Sequence, residues 1–428
     1  MKIAIAGYGL EGESNYRYWS KDPKNQMTIA DENRPSREIP DEAFAIIGED
    51  AFDHLKDYDL VIRTAGLAPR KIKTNGKIWS ATNEFFAKCP VPIIGVTGSK
   101  GKGTTASLIA GILTAAGKKV WLLGNIGKPA LDVLVQIKMD DIVVYELSSF
   151  QLWDLEKSPH TAVILFIEQE HLDVHMDMDE YIDAKENITM HQTADDKLVY
   201  NQSNQYTKSI ADNSPVMLVG YPDDKSAHVI DGNFYYGEQK ICSVNTLQIL
   251  GKHNQDNACA AIDAIWEYTQ DPIAIEKGLH EFTGLPHRLK FVREYEGVKY
   301  YDDSIATTPS SAIAALRSFT ESKVIILGGS SKGSDFNDLA RELNNHNVKA
   351  ILIGDEARPI AEACQNNGFN NYEILEEPTM VNIVNRAKSL SDVGDVVLLS
   401  PASASFGLFE NYVDRGEQFV SAVMALQD

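Results

Sequence analysis

The chain has 428 residues, of which 43% are apolar and 24% charged, so it is long and apolar enough for two to four folded domains. Its 61 acidic residues outnumber 40 basic ones, which gives a net charge of −21. This charge argues against nucleic acid or an anionic membrane as a partner, because both are bound through clustered lysine and arginine. No uncharged apolar run reaches the length of a membrane span, and none of the four cysteines forms a CxxC pair. We therefore expect a cytoplasmic protein with reduced thiols.

In the first ninety residues, short apolar runs alternate with polar helical stretches, which is typical of parallel strands joined by crossover helices. The first run, Lys2–Ala6, predicts a strand rather than a signal peptide because glycine and glutamate follow it at once. It leads into the pattern Gly7-x-Gly9-x-x-Gly12, and Asp31 lies near the end of the second predicted strand. On their own these features would indicate NAD binding, so a nicotinamide oxidoreductase is one alternative.

Two prolines near residue 90 indicate a linker, and the strand Ile93–Val96 opens a second alternating unit. The glycine-rich segment Gly95–Thr105 lies between this strand and a predicted helix, Ala106–Ala116. Glycines let backbone N–H groups turn onto a phosphate, and Lys102 would add positive charge at the outer phosphates of ATP. The residues assigned to ATP binding here are Gly98, Ser99, Lys100, Gly101, Lys102, Gly103, Thr104 and Thr105.

Three further residues of this unit are candidate site residues. Glu146 lies at the carboxyl end of the predicted strand, directly after Ile142–Tyr145, at the edge where ligands bind in open α/β sheets, and could hold Mg²⁺. His171 follows another strand end, and Lys185 lies on a predicted helix over residues 178–190. Alone, each of these has an ordinary structural explanation. Residues 197–245 are predicted to form a small antiparallel patch.

A second boundary falls near Gly284–Arg288, beyond which a hairpin and another strand–helix alternation are predicted. We therefore predict an α/β protein with domains over residues 1–90, 91–286 and 287–428. The first would be a Rossmann-like domain, the second a P-loop ATPase domain with a parallel sheet and a small antiparallel patch, and the third another Rossmann-like α/β domain.

Taken in order, these segments resemble the Mur ligases, in particular the type that adds glutamate to UDP-N-acetylmuramoyl-L-alanine. The resemblance covers essentially the whole chain. Besides the motifs above, it rests on the segments Gly124–Gly127, Glu146–Gln151, Glu170–Asp173, His253–Asn257, Gly284–Arg288, Asp302–Ser304 and Ser400–Ser405.

The resemblance implies an ATP-dependent amide ligase of peptidoglycan precursor synthesis with three small-molecule substrates: ATP, glutamate and UDP-N-acetylmuramoyl-L-alanine. It implies two Mg²⁺ sites formed by Thr104, Glu146, His171 and Lys185, with Lys185 N-carboxylated, and catalytic roles for Lys102, Glu146, His171 and Lys185. Further ATP contacts would be Asn254, Asn257, Arg288 and Asp303. The UDP-sugar would meet Gly9, Leu10, Asp31, Asn125, Ser148 and His171. Glutamate would meet Thr307, Lys332, Ser405 and Tyr412. We expect a monomer, with no nucleic acid or membrane partner.

The chain departs from the family pattern at two positions. Gly103 stands directly after Lys102, where a hydroxyl residue is usual, and the first hydroxyl is Thr104. Folylpolyglutamate synthases share this glycine, so a folylpolyglutamate synthase-like ligase is an alternative. Ile305 stands where glutamate-adding Mur ligases often have lysine, which leaves D- or L-glutamate open. A non-catalytic nucleotide-binding scaffold would explain both departures.

Overall fold

The computed structural model describes residues 1–35, 37–125, 128–172, 174–249, 251–331 and 333–427. The chain divides into two compact units, one of Met1–Gln248 with Lys252–Phe282 and the other of Ile249–Gly251 with Thr283–Asp428. The fold is mixed α/β: three sheets are wholly or largely parallel, and a small one is antiparallel. Within the described ranges, no helix has the length and apolar character needed to cross a membrane.

The first sheet of the larger unit is a five-stranded parallel sheet in the order β3-β2-β1-β4-β5. Its strands are β1 (Lys2–Ala6), β2 (Gln26–Asp31), β3 (Phe44–Ile47), β4 (Leu60–Arg63) and β5 (Lys77–Ser80), and its helices are α1 (Leu10–Trp19) and α2 (Ala81–Lys88). Short 3-10 turns cover Ala51–His54 and Pro69–Lys71. The strand order reverses at β1, so the loops after β1, β2 and β4 meet at one edge, as expected for a ligand crevice.

The second sheet of this unit has six parallel strands in the order β11-β10-β9-β6-β8-β7. They are β6 (Ile93–Thr97), β7 (Val120–Gly124), β8 (Ile142–Glu146), β9 (Thr161–Ile164), β10 (Lys197–Asn201) and β11 (Met217–Tyr221). The helices are α3 (Lys102–Ala115), α4 (Ala130–Val133), α5 (Ser149–Leu152), α6 (Met178–Glu186) and α7 (Gln205–Asp212), with a 3-10 turn at Leu134–Gln136. All residues of β6, β8 and β9 are buried, as their continuous apolar runs require.

The antiparallel region is smaller than the sequence suggested. The prediction over residues 197–245 was wrong for β10 and β11, which extend the parallel sheet because helix α7 connects them as a crossover. Only β12 (Ala227–Ile230), β13 (Asn233–Tyr236) and β14 (Gln239–Ser243) pair antiparallel, followed by a 3-10 turn at Val244–Thr246. Helices α8 (Lys252–Ile265) and α9 (Pro272–Glu281) complete this unit, and both pack against α3.

The smaller unit contains a six-stranded sheet in the order β15-β16-β20-β17-β18-β19, parallel except for the β15–β16 hairpin. Its strands are β15 (Lys290–Tyr295), β16 (Val298–Asp302), β17 (Lys323–Gly328), β18 (Val348–Ile353), β19 (Tyr372–Ile374) and β20 (Val396–Leu399). Its helices are α10 (Pro309–Arg317), α11 (Asn337–Asn344), α12 (Ala357–Asn366), α13 (Met380–Leu390) and α14 (Tyr412–Met424). The loops after β16, β20 and β17 lie side by side at one edge.

Candidate active site

The glycine turn after β1 is packed too closely for side chains. Gly7 has a φ of 91°, and a Cβ on it would lie 2.3 Å from Thr64 Oγ1. A Cβ on Gly12 would lie 2.3 Å from the Gly7 carbonyl, so the turn and helix α1 are in direct contact. Gly9 caps the start of α1 with open space beside it, and the neighbouring Leu10 is 52% exposed. The turn therefore presents an accessible helix N terminus at the crevice.

Asp31 stabilises this turn through a hydrogen bond. One of its carboxylate oxygens accepts a hydrogen bond from the Tyr8 N–H at 2.8 Å, and the other accepts one from Asn33 N–H at 3.0 Å. Asp31, which the family resemblance assigns to the UDP-sugar, thus holds the loop that follows β1 at the end of β2.

The loop Thr64–Leu67, after β4, forms a third wall that the sequence analysis missed. The Ala65 N–H donates to Glu11 Oε2 at 2.9 Å, and burial raises the pKa of this glutamate. Gly7 touches the same loop through Thr64. Applying the strand-end rule to the apolar run before residue 64 would have found this loop, because its strand is a neighbour of β1.

The glycine-rich segment after β6 wraps as a phosphate loop, with φ angles of 147° at Gly98 and 88° at Gly101. Helix α3 starts at Lys102, four residues earlier than predicted, so Lys102 and Gly103 belong to its first turn. Lys102 Nζ donates to the Gly98 and Ser99 carbonyls at 3.0 and 2.7 Å. The cation is therefore held inside the loop, where phosphate oxygens would meet it.

Two threonines follow in α3. Thr104 is 8% exposed and Thr105 is fully buried, and Thr105 Oγ1 has no hydrogen-bond partner among the described residues. Both hydroxyls belong to the first turns of the helix, next to the loop.

The next loop along the edge, after β9, is tied to the phosphate loop through Ser99. Its hydroxyl donates to the Glu168 carbonyl at 2.8 Å, accepts from Glu168 N–H at 2.9 Å, and contacts the Tyr181 hydroxyl at 2.8 Å. Lys100 is exposed and pairs with the Glu168 carboxylate at 2.5 Å. These contacts fix the position of the β9 loop relative to the phosphate loop.

Glu146 ends β8 and is 4% exposed. Asn125 donates from Nδ2 to Glu146 Oε1 at 3.1 Å and from its N–H to the Glu146 carbonyl at 3.0 Å. Ser148 caps α5 in a capping box with Gln151. The structure therefore brings Asn125, Glu146 and Ser148 together at one edge; Ile126 and Gly127 of the predicted motif lie outside the described residues.

Lys185 is the buried lysine of this site, at 1% exposure. Its Nζ donates to the Gly98 carbonyl at 2.8 Å, the same oxygen that Lys102 contacts, and lies 4.6 Å from the centre of the Tyr181 ring. Burial, and then the charge of Lys102, hold the pKa of Lys185 well below its usual value, while Glu170 acts in the opposite direction. The uncharged amine is thereby favoured.

His171 also lies near Tyr181, with ring centres 6.5 Å apart. It has a φ of 58°, its side chain is 42% exposed, and its Nε2 is 3.8 Å from Glu170 Oε2. Its ring packs 4.9 Å from that of Phe150. His171 and Lys185 thus both lie near the Tyr181 ring. Asp173 of the same motif lies outside the described residues.

The predicted asparagines of α8 lie next to the phosphate loop. Asn257 Nδ2 donates to Asn254 Oδ1 at 3.1 Å, and both residues are 9% exposed or less. A Cβ on Gly101 would lie 2.4 Å from Asn257 Oδ1, so this glycine allows the helix to approach the loop. Arg288 and Asp303, the other residues predicted for ATP, belong to the smaller unit.

In the smaller unit, Asp303 is buried and Arg288 is exposed. Its carboxylate accepts hydrogen bonds from Leu289 N–H at 3.0 Å and from Ser400 Oγ at 2.7 Å. Burial raises the pKa of Asp303 to about 7, although these hydrogen bonds and the charge of Arg288 act against that shift.

The residues predicted for glutamate lie on loops at the carboxyl edge of this sheet. Thr307 follows β16 and is half-buried, Ser405 follows β20 and is 3% exposed, and Tyr412 begins α14 at 39% exposure. Lys332 lies outside the described residues.

Arg415, missed by the sequence analysis, joins two of these loops. It is fully buried and donates to Ser304 Oγ at 2.9 Å, to the Ser304 carbonyl at 2.7 Å and to the Ser403 carbonyl at 3.1 Å. Burial lowers the pKa of its guanidinium to about 10. Since Ser304 Oγ also donates to the Tyr412 carbonyl at 2.8 Å, one arginine holds the loops after β16 and β20 on α14.

Two family models match the chain, the Mur ligase middle domain over residues 96–265 and the glutamate ligase domain of Mur ligases over residues 287–403. A protein of Clostridium tetani named UDP-N-acetylmuramoylalanine--D-glutamate ligase is 36% identical over 99% of this chain and 97% of its own length. A protein of the same name from Acetivibrio thermocellus is 37% identical over 89% of this chain and 86% of its length.

Solved structures have the same fold at low identity. MurF ligase of Thermotoga maritima, in complex with ADP, has a TM-score of 0.59 at 18% identity and covers 98% of this chain and 93% of its own. Folylpolyglutamate synthase of Mycobacterium tuberculosis, with ADP and AMPPCP, has a TM-score of 0.61 at 15% identity and covers 81% and 94%. With both family models matched in order and a full-length relative above one-third identity, the chain belongs to the Mur ligase family.

Proposed function

We propose that this ATP-dependent ligase joins glutamate, with D-glutamate favoured, to UDP-N-acetylmuramoyl-L-alanine in peptidoglycan precursor synthesis. The observation that carries the proposal is the convergence of Lys102 and Lys185 on the Gly98 carbonyl of a phosphate loop. The names of the full-length relatives support the choice of substrates.

The reaction must activate a carboxylate, which is a poor electrophile. The terminal phosphoryl group of ATP passes to the carboxylate of the alanyl substrate, giving an acyl phosphate and ADP. The amino group of glutamate then attacks the acyl carbon, the tetrahedral intermediate expels phosphate, and an amide remains. Lys102 would stabilise the charge that develops on the transferring phosphoryl group.

The residues predicted to bind metal are of a kind that suits Mg²⁺ bound together with ATP. No cluster of three histidine, cysteine or acidic residues capable of holding a metal occurs within the described ranges. Mg²⁺ at phosphoryl-transfer sites commonly takes one or two carboxylates together with substrate phosphates and water. We assign Glu146 and the Thr104 hydroxyl to one ion, and His171 and Lys185 to a second. The ions would neutralise phosphate charge.

We also propose that Lys185 is N-carboxylated. An uncharged amine attacks CO₂, forming an N–C bond and releasing one proton, so a lysine with a depressed pKa is the suitable reactant. The buried position of Lys185 and its low pKa supply that reactant. The resulting carbamate would give anionic oxygens where a protonated lysine would repel Mg²⁺.

For the substrates, we propose one crevice in each of two sheets. Gly9, Leu10 and Asp31 would hold the UDP-sugar at the first sheet, with Asn125, Ser148 and His171 at its muramoyl end. Glutamate would bind at Thr307, Lys332, Ser405 and Tyr412, and ATP would also contact Asn254, Asn257, Arg288 and Asp303. The proposal includes three domains, over residues 1–90, 91–286 and 287–428. It also includes a monomeric protein located in the cytoplasm.

The decisive experiment is ADP release by the purified chain, measured with each substrate omitted in turn. We expect release to require UDP-N-acetylmuramoyl-L-alanine and glutamate, with D-glutamate much more effective than L-glutamate, and the product to gain one glutamyl residue by mass spectrometry. Greater activity with L-glutamate would overturn the stereochemical assignment. Substrate-independent hydrolysis, or activity only with a folate acceptor, would overturn the proposed function.

A further inference from the structure

Arg63 is a fully buried cation at the carboxyl end of β4, and each of its nitrogens donates a hydrogen bond. Nε and Nη2 donate to the two carboxylate oxygens of Asp154 at 2.7 and 2.5 Å, and Nη2 also donates to the Phe150 carbonyl at 2.9 Å. Nη1 faces three carbonyls of the loop Thr64–Leu67 at 3.4–3.5 Å. One guanidinium therefore holds a loop of the first sheet and a segment of the second.

The two segments that Arg63 holds together lie at different parts of the candidate site. The loop Thr64–Leu67 forms a wall of the first crevice and is bonded there to Glu11. Phe150 belongs to α5, just after the strand that ends at Glu146, and its ring packs on His171. Arg63 thus links the crevice of the first sheet to the helix beside the predicted metal residues.

We propose that Arg63 is a positioning residue for ligation, an inference that rests on the proposed function. By fixing the loop Thr64–Leu67 against α5, it sets where a carboxylate held from the first sheet lies relative to the phosphate loop. The planar fork of arginine can bond a carboxylate and several carbonyls at once, which the single ammonium group of lysine cannot do. A lysine keeps the charge and loses the fixed geometry.

The test compares Arg63→Lys and Asp154→Asn with Lys77→Ala in the full chain. Lys77 pairs with Glu156 at 2.8 Å and also joins the first sheet to the segment after α5, but this pair is half-exposed and lies at the start of β5, away from the crevice. Misplacing a reacting group by about 1 Å can cost on the order of a hundredfold in rate. We expect Arg63→Lys and Asp154→Asn to lower kcat/KM for the UDP-sugar by about tenfold or more, with the KM for ATP unchanged within about twofold.

Three results would overturn the inference: wild-type constants in Arg63→Lys, a parallel rise of the KM values for ATP and UDP-sugar, or the same loss in Lys77→Ala. If the wild-type chain releases no substrate-dependent ADP, the proposed function itself fails. In that case amide hydrogen exchange of the full chain tests whether Arg63 holds the two segments together. Faster exchange confined to residues 64–67 and 150–154 in Arg63→Lys supports it, and unchanged exchange there refutes it.

Discussion

Replacing Lys102 by alanine removes the cation from the phosphate loop. Its Nζ donates to two loop carbonyls at 2.7 and 3.0 Å, so it is already aimed into the loop before any phosphate binds. Loss of one such preorganised electrostatic contact costs about 3 kcal/mol of transition-state stabilisation, or roughly a hundred- to thousandfold in kcat. We expect a loss of this size for Lys102→Ala.

The same substitution has a second effect, on Lys185. After burial, the charge of Lys102 is the main cause of the low pKa of Lys185. Removing that charge raises the pKa of Lys185, so more of its amine is protonated and less can react with CO₂. We therefore expect Lys102→Ala to need more bicarbonate than the wild type for its residual activity.

The assay is ADP release at saturating substrates over a bicarbonate series, with thermal melting to show that the variant is folded. Lys118→Ala is the matched control, because Lys118 is an exposed lysine just beyond the other end of α3. This control should retain wild-type turnover. If folded Lys102→Ala turns over within about tenfold of the wild type, the assignment of the phosphate loop is refuted.

Four further predictions concern single side chains. Thr104→Ala should raise the Mg²⁺ concentration needed for half-maximal activity and Thr105→Ala should not; the reverse pattern would shift the assignment by one residue. Lys185→Ala should lose activity and regain part of it with formate or acetate, and full wild-type activity in CO₂-depleted buffer would contradict carboxylation. Lys332→Ala should raise the KM for glutamate far more than that for ATP, and equal increases would remove Lys332 from the glutamate site. Because burial raises the pKa of Asp303 to about 7, the folded state binds more protons than the unfolded state between about pH 4 and 7, so this group makes stability fall as pH rises. Asp303→Asn should therefore gain in unfolding free energy relative to the wild type from pH 5 to 8, measured by urea denaturation, and a constant difference would contradict the shift.

Strands were predicted well where burial on both faces gives an apolar run. The prediction of β1 at Lys2–Ala6 was confirmed, and β6 and β8 differ from their predictions by one residue. The pairing of β10 and β11 was not predictable from their alternation, because alternating burial is the same in parallel and antiparallel strands. The crossover helix Gln205–Asp212 determines the direction, and its polar sequence was not identified as a helix.

The sequence predicts candidate site residues where they stand in a short motif at a strand end, as Lys102 and Glu146 do. Arg63 and Arg415 were missed because their acceptors come from distant parts of the chain, such as Asp154 and Ser403. Nothing near either arginine in sequence shows that it is buried. The function of such residues becomes visible only when tertiary structure brings the acceptors to them.

The early start of α3 places Gly103, the residue after the loop lysine, inside the helix. A glycine costs about 1 kcal/mol inside a helix, so sequence alone places the start of the helix after residue 103. In the structure Gly103 lies within the first turn, where each step along the helix rotates the side chain by about 100°. A hydroxyl at residue 104 therefore cannot point where one at 103 would. Thr105 is fully buried, whereas Thr104 keeps 8% of its surface exposed, and we therefore predict that Thr104 rather than Thr105 meets an ion brought in with ATP.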